Sequence, residues 1–307
     1  MNLSTPFLTL LRREFWEHRS LWAAPLAVGA FIVLLTLFKG SVAGGPFQIH
    51  IDGERADIAA RMIGPAQGVY FRVVAAILFF VQYAVAAVVV FVYLLDALNS
   101  ERRDRSILFW KSLPVSDTMT VASKAVTALL IVPLLVFVVS ILVSALAFVI
   151  LQFRLSGTTF ASMLSWHTGD WLVLQGVLLM NIVVASLWYS PIAAALLVIS
   201  ASVRRAALLW AVLPPMALGL IERGVLGSDY VFAFLGYRLG GFFNGVGSSA
   251  ARETSAKADE AMRHVDKIYA QIDATPLLAN IDLWLGVAAA IALLAIAVRL
   301  RRWRDDT

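Results

Sequence analysis

Residues 122–150 read ASKAVTALLIVPLLVFVVSILVSALAFVI, and after Lys124 no charged side chain occurs until Arg154. The run exceeds the roughly 20 apolar residues that carry an α-helix across the hydrocarbon core of a bilayer. It therefore predicts a membrane-spanning helix, and five further runs read the same way: 21–38, 72–96, 171–202, 206–222 and 280–298. The whole 307-residue chain is 60% apolar and 15% charged. A soluble domain of that composition could not cover its apolar surface with polar side chains. The sequence thus predicts an all-α, polytopic integral membrane protein, with residues 1–307 forming a single transmembrane domain of six helices.

Two of the runs carry proline. The fourth is longer than one straight crossing requires, which predicts tilt, projection from the bilayer or a bend near Pro191. The fifth contains Pro214 and Pro215, which remove two backbone donors and predict a kink. Orientation follows from charge. With the N-terminus inside, Arg12, Arg13, Arg19, Arg102, Arg103, Arg105, Lys111, Lys124, Arg204, Arg205, Arg299, Arg301, Arg302 and Arg304 face the cytoplasm, 14 of the 25 Lys and Arg residues. The short inside loops are the basic ones, as the positive-inside tendency requires, so both termini are expected in the cytoplasm. Trp22, Trp166, Trp171, Trp284 and Trp303 sit near span ends, where an amphipathic ring prefers the interface. SVA at 41–43 has the form of a signal-peptidase site, but the apolar run before it is long and its flank carries Glu14 and Glu17, so retention is expected.

Outside the spans, three segments stand out. Residues 5–20, TPFLTLLRREFWEHRS, begin with Thr5 as an N-cap and Pro6 at the first helical position. Helical spacing puts Phe7, Leu8, Leu11, Phe15 and Trp22 on one face and Arg12, Arg13, Glu17 and Arg19 on the rest. With Trp16 alongside, this reads as an amphipathic helix lying in the inner interface on membrane lipids, either a plain anchor or a docking surface. Residues 101–116, ERRDRSILFWKSLPVS, put a basic run before four bulky apolar residues and a proline. Glu101 and Arg105 are spaced to pair along a helix face, and Pro114 stops the helix near Leu113. The alternative is an ordinary basic loop. Residues 223–279 form the largest segment on the other side. Its first half suits short helices or a re-entrant turn at the outer interface, with a flexible loop as the alternative. Its second half sets Ala258, Met262, Val265, Tyr269 and Ile272 at helical spacing, ending before Pro276.

The chemistry that is missing narrows the function. The chain has no cysteine, hence no disulfide, thiolate metal site or cysteine nucleophile. It has no G-x-x-x-x-G-K-[ST] loop for nucleotide phosphates, no H-E-x-x-H and no G-x-S-x-G. His18, His50, His167 and His264 fall on two sides of the membrane, so no metal site is expected. The basic balance is accounted for by the inside loops, which leaves no reason to invoke nucleic acid. Polar residues within spans are few: Gln82, Gln175 and Asn181, which are either interhelical hydrogen-bonding groups or polar points on a translocation path. Ionisable groups deep in the spans would signal an ion relay, and their scarcity argues against a transporter driven by an ion gradient. Spans this apolar suit a cavity for something amphipathic or bulky.

The stretch from Asn99 to Lys124, NSERRDRSILFWKSLPVSDTMTVASK, resembles the cytoplasmic loop between the second and third spans of ABC transporter permeases of the ABC-2 type. The matching positions are Glu101, Arg102, Ser106, Ile107, Leu108, Leu113, Pro114, Val115, Ser116 and Lys124. The glycine usual after the basic run is replaced around Arg105. LLRREFWEHRSLW at the N-terminus is similar to that family's interfacial helix, and six spans with both ends inside match its topology. The resemblance implies that residues 99–116 form a coupling helix seated in a cleft of a separate ATP-binding cassette ATPase. Glu101, Arg102 and Arg105 would grip that partner, Ile107, Leu108, Phe109 and Trp110 would fill its groove, and Pro114 would fix the angle into the third span. ATP and Mg would bind the partner, and this chain would hold no cofactor and catalyse nothing itself. The assembly implied is two permease copies, as a homodimer, with two ATPase chains in a bacterial inner membrane. The resulting expectation is an exporter of an amphipathic peptide, antibiotic or lipid. The alternative is a non-transporting scaffold that passes ATP-driven force to an outer partner.

Overall fold

A computed structural model describes residues 4–38, 69–103, 115–154, 156, 168–203, 205–253 and 273–303. All regular structure among the described residues is helical. In chain order these are α1 (Ser4–Glu17), α2 (Ser20–Leu37), α3 (Val69–Asp96), the short α4 (Asn99–Arg103), α5 (Asp117–Val126), α6 (Val132–Arg154), α7 (Thr168–Ser202), α8 (Ala207–Ile221), α9 (Tyr230–Glu253) and α10 (Ile281–Trp303). A π-helical turn, Thr127–Ile131, joins α5 to α6, and a second, Glu222–Leu226, follows α8. Six helical stretches are long and apolar enough to cross a membrane, as expected of a multi-pass protein: Ser20–Leu37, Val74–Glu101, Asp117–Arg154, Trp171–Ser202, Ala207–Leu226 and Ile281–Trp303.

The bundle is built around α7, which packs along α10 on one side and α3 on the other, while α2, α3 and α6 pack against one another. Gly29 lets α2 approach α6 closely, since a Cβ there would meet the Val143 and Val139 side chains at 2.9 and 3.1 Å. Its middle is a core of Tyr93, Leu94, Val121, Val132, Val136 and Leu197, and a second cluster gathers around Trp188 and Phe242. The longest members outrun the bilayer. At 1.5 Å per residue α7 is about 52 Å long and the α5–α6 helix about 57 Å, against a hydrocarbon core of about 30 Å. The excess length of the fourth run is carried within one helix: α7 stays helical through Pro191.

Proline explains the local irregularities. Pro191 has no N–H for the Leu187 carbonyl, and the Ser190 hydroxyl donates to that carbonyl instead at 2.8 Å. Pro133 likewise leaves the Leu129 carbonyl without its helical donor. There the chain widens into the π-turn, whose Val132 N–H reaches the Thr127 carbonyl, and Ser186 of α7 donates its hydroxyl to the Leu129 carbonyl across the helix pair. Such hydroxyl repair is the usual way a spanning helix tolerates proline. Pro214 and Pro215 are both accommodated inside α8, which remains helical through them.

The 223–279 segment differs from expectation in its first half. Tyr230–Glu253 is one long helix, α9, rather than several short ones. After the second π-turn, Gly227 takes a left-handed conformation (φ 65°), and the chain reverses. Both carboxylate oxygens of Glu222 accept hydrogen bonds at 2.8 Å, from the backbone N–H of Tyr230 and Val231 and from the Ser228 hydroxyl. That capping satisfies donors at the start of α9 which have no helical partner. α9 then packs back on α8 and α7. Its Arg238 carbonyl accepts from the Trp188 indole at 2.9 Å, while the Arg238 guanidinium lies 4.6 Å from the Trp188 ring centre and donates to the Asp282 carbonyl at 3.2 Å. The helical spacing read at 258–272 lies outside the described residues.

Candidate functional site

At the end of the bundle where α1, α4, α5 and the last turn of α10 meet, charged side chains converge in the interior. The Lys124 ammonium donates to Glu14 at 2.8 Å and lies 3.1 Å from Glu101. Arg301 donates to the other Glu101 oxygen at 2.6 Å and to Asp117 at 3.1 Å. Arg13 approaches Glu101 at 3.4 Å and pairs with Glu17 at 2.6 Å. The second Glu14 oxygen accepts from the Tyr93 hydroxyl at 2.7 Å. Glu14 and Lys124 are fully buried, and Glu101 and Arg301 expose 4% and 6% of their surface. Removing ions from water costs several kcal/mol each, so such a cluster persists only when the charges balance and the remaining polar atoms are bonded. In the interior three acids (Glu14, Glu101, Asp117) face three bases (Arg13, Lys124, Arg301), with the more exposed Glu17 pairing with Arg13 at the edge.

The placement of each member follows from its helix. On α1 the stripe turned into the protein is Leu10, Arg13 and Glu14, beside the apolar face expected from spacing. Phe7, Leu11 and Phe15 are partly buried, and Arg12, Leu8 and Trp16 are exposed. α1 begins at Ser4, so Thr5 stands inside the helix and Pro6 in its first turn, where the missing N–H is harmless. Glu101 is held by a tight junction: the N–H groups of Leu98 and Asn99, between α3 and α4, both donate to the buried Ser200 hydroxyl of α7 at 3.0 and 3.1 Å. Ser116 caps α5 by accepting from the Met119 N–H at 3.2 Å, which fixes Asp117 in the first turn, where the helix dipole favours an acid. Arg301 therefore bridges both sides of the 104–114 segment, holding Glu101 before it and Asp117 after it.

The expected docking residues divide accordingly. Glu101 is turned inward with both oxygens engaged, so it cannot present a free carboxylate to a partner and instead anchors the loop. Arg102 stands in α4, and Arg105, Ile107, Leu108, Phe109, Trp110 and Pro114 lie outside the described residues. The Glu101–Arg105 pairing expected from spacing falls on Arg105, outside the described residues; the described partners of Glu101 are Lys124, Arg301 and Arg13. Sequence reasoning picked out Glu101 and Lys124 but missed Glu14, Tyr93, Asp117 and Arg301. No local pattern singles them out, because their partners lie on distant helices.

His18, at the junction of α1 and α2, completes this end. Its ring meets the Tyr93 ring edge-on at 4.9 Å, and its Nε2 lies 4.0 Å from Glu14. Burial lowers its pKa below the ordinary 6.5. Glu14 opposes that shift, Lys124 reinforces it, and burial prevails.

Beside the network, nearer the bundle centre, lies an apolar cavity of about 350 Å³. α3 (Tyr83 to Leu94), the π-turn with the start of α6, and α7 (Ala185 to Leu196) form its walls, and Leu239 and Phe243 of α9 close part of it. Leu94, at one end, adjoins the network residue Tyr93. None of Gln82, Gln175 and Asn181 lines this cavity. Gln82 donates to the Leu78 carbonyl of its own helix at 3.1 Å, Gln175 is buried in α7, and Asn181 accepts from the Ala274 N–H at 2.8 Å. Among the described residues no group of His, Asp and Glu is arranged to hold a metal ion. Compared with family models, curated proteins and solved structures, the chain matches none significantly.

Proposed function

We propose that this chain is the membrane subunit of an ATP-driven exporter of the ABC-2 type, with residues 104–114 as the segment that docks a separate ATPase. The observation that supports this reading is the double clamp of Arg301 on Glu101 and Asp117. A loop that must pass movement between a soluble motor and the spans needs rigid roots, and these roots connect directly to α1, α3, α5 and α10. Push or pull on 104–114 is then transmitted as rigid-body motion of α3 and α5. Phe109 and Trp110 are the groups that enter the partner's groove. The exposed apolar face of α8, with Leu209, Trp210, Leu213 and Leu220, is the surface for a second copy. The basic segments face the cytoplasm of a bacterial inner membrane, and ATP and Mg bind the partner alone. The test is co-purification with ATPases encoded beside this chain, comparing the native loop with Trp110→Ala.

A second reading, force transmission without transport, is favoured by the length of the α5–α6 helix and α7 beyond the bilayer. Substrate-stimulated ATP hydrolysis by the assembled complex separates the two, since only the transporter requires it.

A further inference from the structure

The cavity between α3, α6, α7 and α9 has a lining that restricts its occupant. Its 350 Å³ falls at the low end of the roughly 300–1,000 Å³ usual for small-molecule sites. Of its 19 lining residues only Tyr83, Ser186 and Tyr189 carry polar side chains. Two of those are already satisfied: the Ser186 hydroxyl bonds the Leu129 and Ile182 carbonyls, and the Tyr189 hydroxyl donates to the Leu239 carbonyl at 3.0 Å. The Tyr83 hydroxyl has no partner among the described residues. No charged group lines the space.

A peptide would bring a backbone donor and acceptor for every residue, and the lining could satisfy almost none of them. A charged headgroup would meet no counter-ion. What fits is a single alkyl chain with one oxygen acceptor for Tyr83. Hydrocarbon gains little on passing from lipid tails to an equally apolar wall, so preference over bulk lipid depends on shape and on that hydrogen bond. The π-turn supports a binding role independently, because it forms one wall and such turns recur at functional sites. Small side chains on three helices (Ala86, Ala87, Ala128, Ala193) leave the room.

We infer that this cavity binds the acyl chain of a single-chain amphipath, held by its carbonyl or hydroxyl oxygen to Tyr83. The inference deepens the exporter reading by naming a site and a chemical class, yet its test needs no ATPase, so it stands or falls separately from docking.

The experiment uses the full chain in nanodiscs of diacyl phospholipid and a monoacyl phospholipid carrying a photoactivatable diazirine at mid-chain. Labelling should be saturable despite the excess of bilayer acyl chains, and should concentrate on Val90, Ala128–Val132 and Ile192. Ala87→Trp, which fills the space, should cut it at least tenfold. Tyr83→Phe preserves the shape and guards against a filled variant that fails to fold. It should weaken competition by unlabelled monoacyl lipid about three- to tenfold, the equivalent of one ordinary hydrogen bond. Non-saturable labelling, labelling spread equally over the exposed apolar side chains of α2 and α6, such as Phe31, Leu34, Leu142 and Leu146, or competition by a hydrophobic peptide as strong as by the monoacyl lipid would each overturn the assignment.

Discussion

Replacing Lys124 by methionine keeps the side chain's length and removes its charge. Glu14 and Glu101 lie 2.8 and 3.1 Å from the ammonium that separates them. Without it, two buried carboxylates face each other with one cation fewer. Removing one partner of a buried ion pair costs about 3–5 kcal/mol. At about 2 °C per kcal/mol for a large chain, the apparent midpoint of thermal unfolding should fall by roughly 6–10 °C. Tryptophan fluorescence of the purified protein reads this, because Trp188 is fully buried. Glu14→Gln alone should also destabilise. The double variant Lys124→Met/Glu14→Gln restores neutrality, with Glu101 and Asp117 left to Arg301 and Arg13. It should therefore recover about 1–3 kcal/mol relative to the sum of the single changes. Simple additivity, or a Lys124→Met midpoint within about 1 °C of the parent, would refute the claim that these charges act as one buried unit.

Three further outcomes are expected. Ser186→Ala strips a side-chain donor from the Leu129 carbonyl beside Pro133 and should cost about 1–3 kcal/mol. Adding Pro133→Ala restores the backbone donor and should return most of that loss in the same unfolding assay. Below about pH 6.5 the unfolded chain takes up a proton that folded His18 resists, so stability should decline as pH falls from 7 toward 5. His18→Phe should flatten that decline in a pH series of unfolding midpoints. Gly286→Ala would drive a Cβ into the Arg238 guanidinium, and that flexible end would swing off Trp188 at a cost of about 1 kcal/mol or less. Near-ultraviolet circular dichroism should register the change at Trp188.

Much of the fold was legible because crossing a bilayer needs long apolar runs, and six of them stand plainly in the sequence. Their lengths were less legible. The spans at 72–96 and 122–150 begin and end among polar residues that a helix can carry beyond the bilayer, so α3 starts at Val69 and the α5–α6 helix runs from Asp117 to Arg154. How the helices carry their prolines was also hidden: Ser190 and Ser186 bond the carbonyls that Pro191 and Pro133 leave without a helical donor, and one of those bonds comes from a distant helix. The ion-pair network was the hardest to read. Arg301 looks like one more basic residue obeying the charge rule, and its partners lie 200 and 184 positions away. Glu101 lies next to a basic run, which suggests a solvated surface until Lys124 and Arg301 are seen folding over it.

The central claim concerns the loop whose roots this network fixes. The most direct measurement is to express the chain with its neighbouring genes, extract it from membranes in mild detergent, and ask whether a P-loop ATPase comes with it in fixed ratio. The account predicts a stoichiometric ATPase that is lost from Trp110→Ala while the variant remains folded in the membrane. A chain that purifies alone, or an ATPase retained equally by Trp110→Ala and Phe109→Ala, would contradict it.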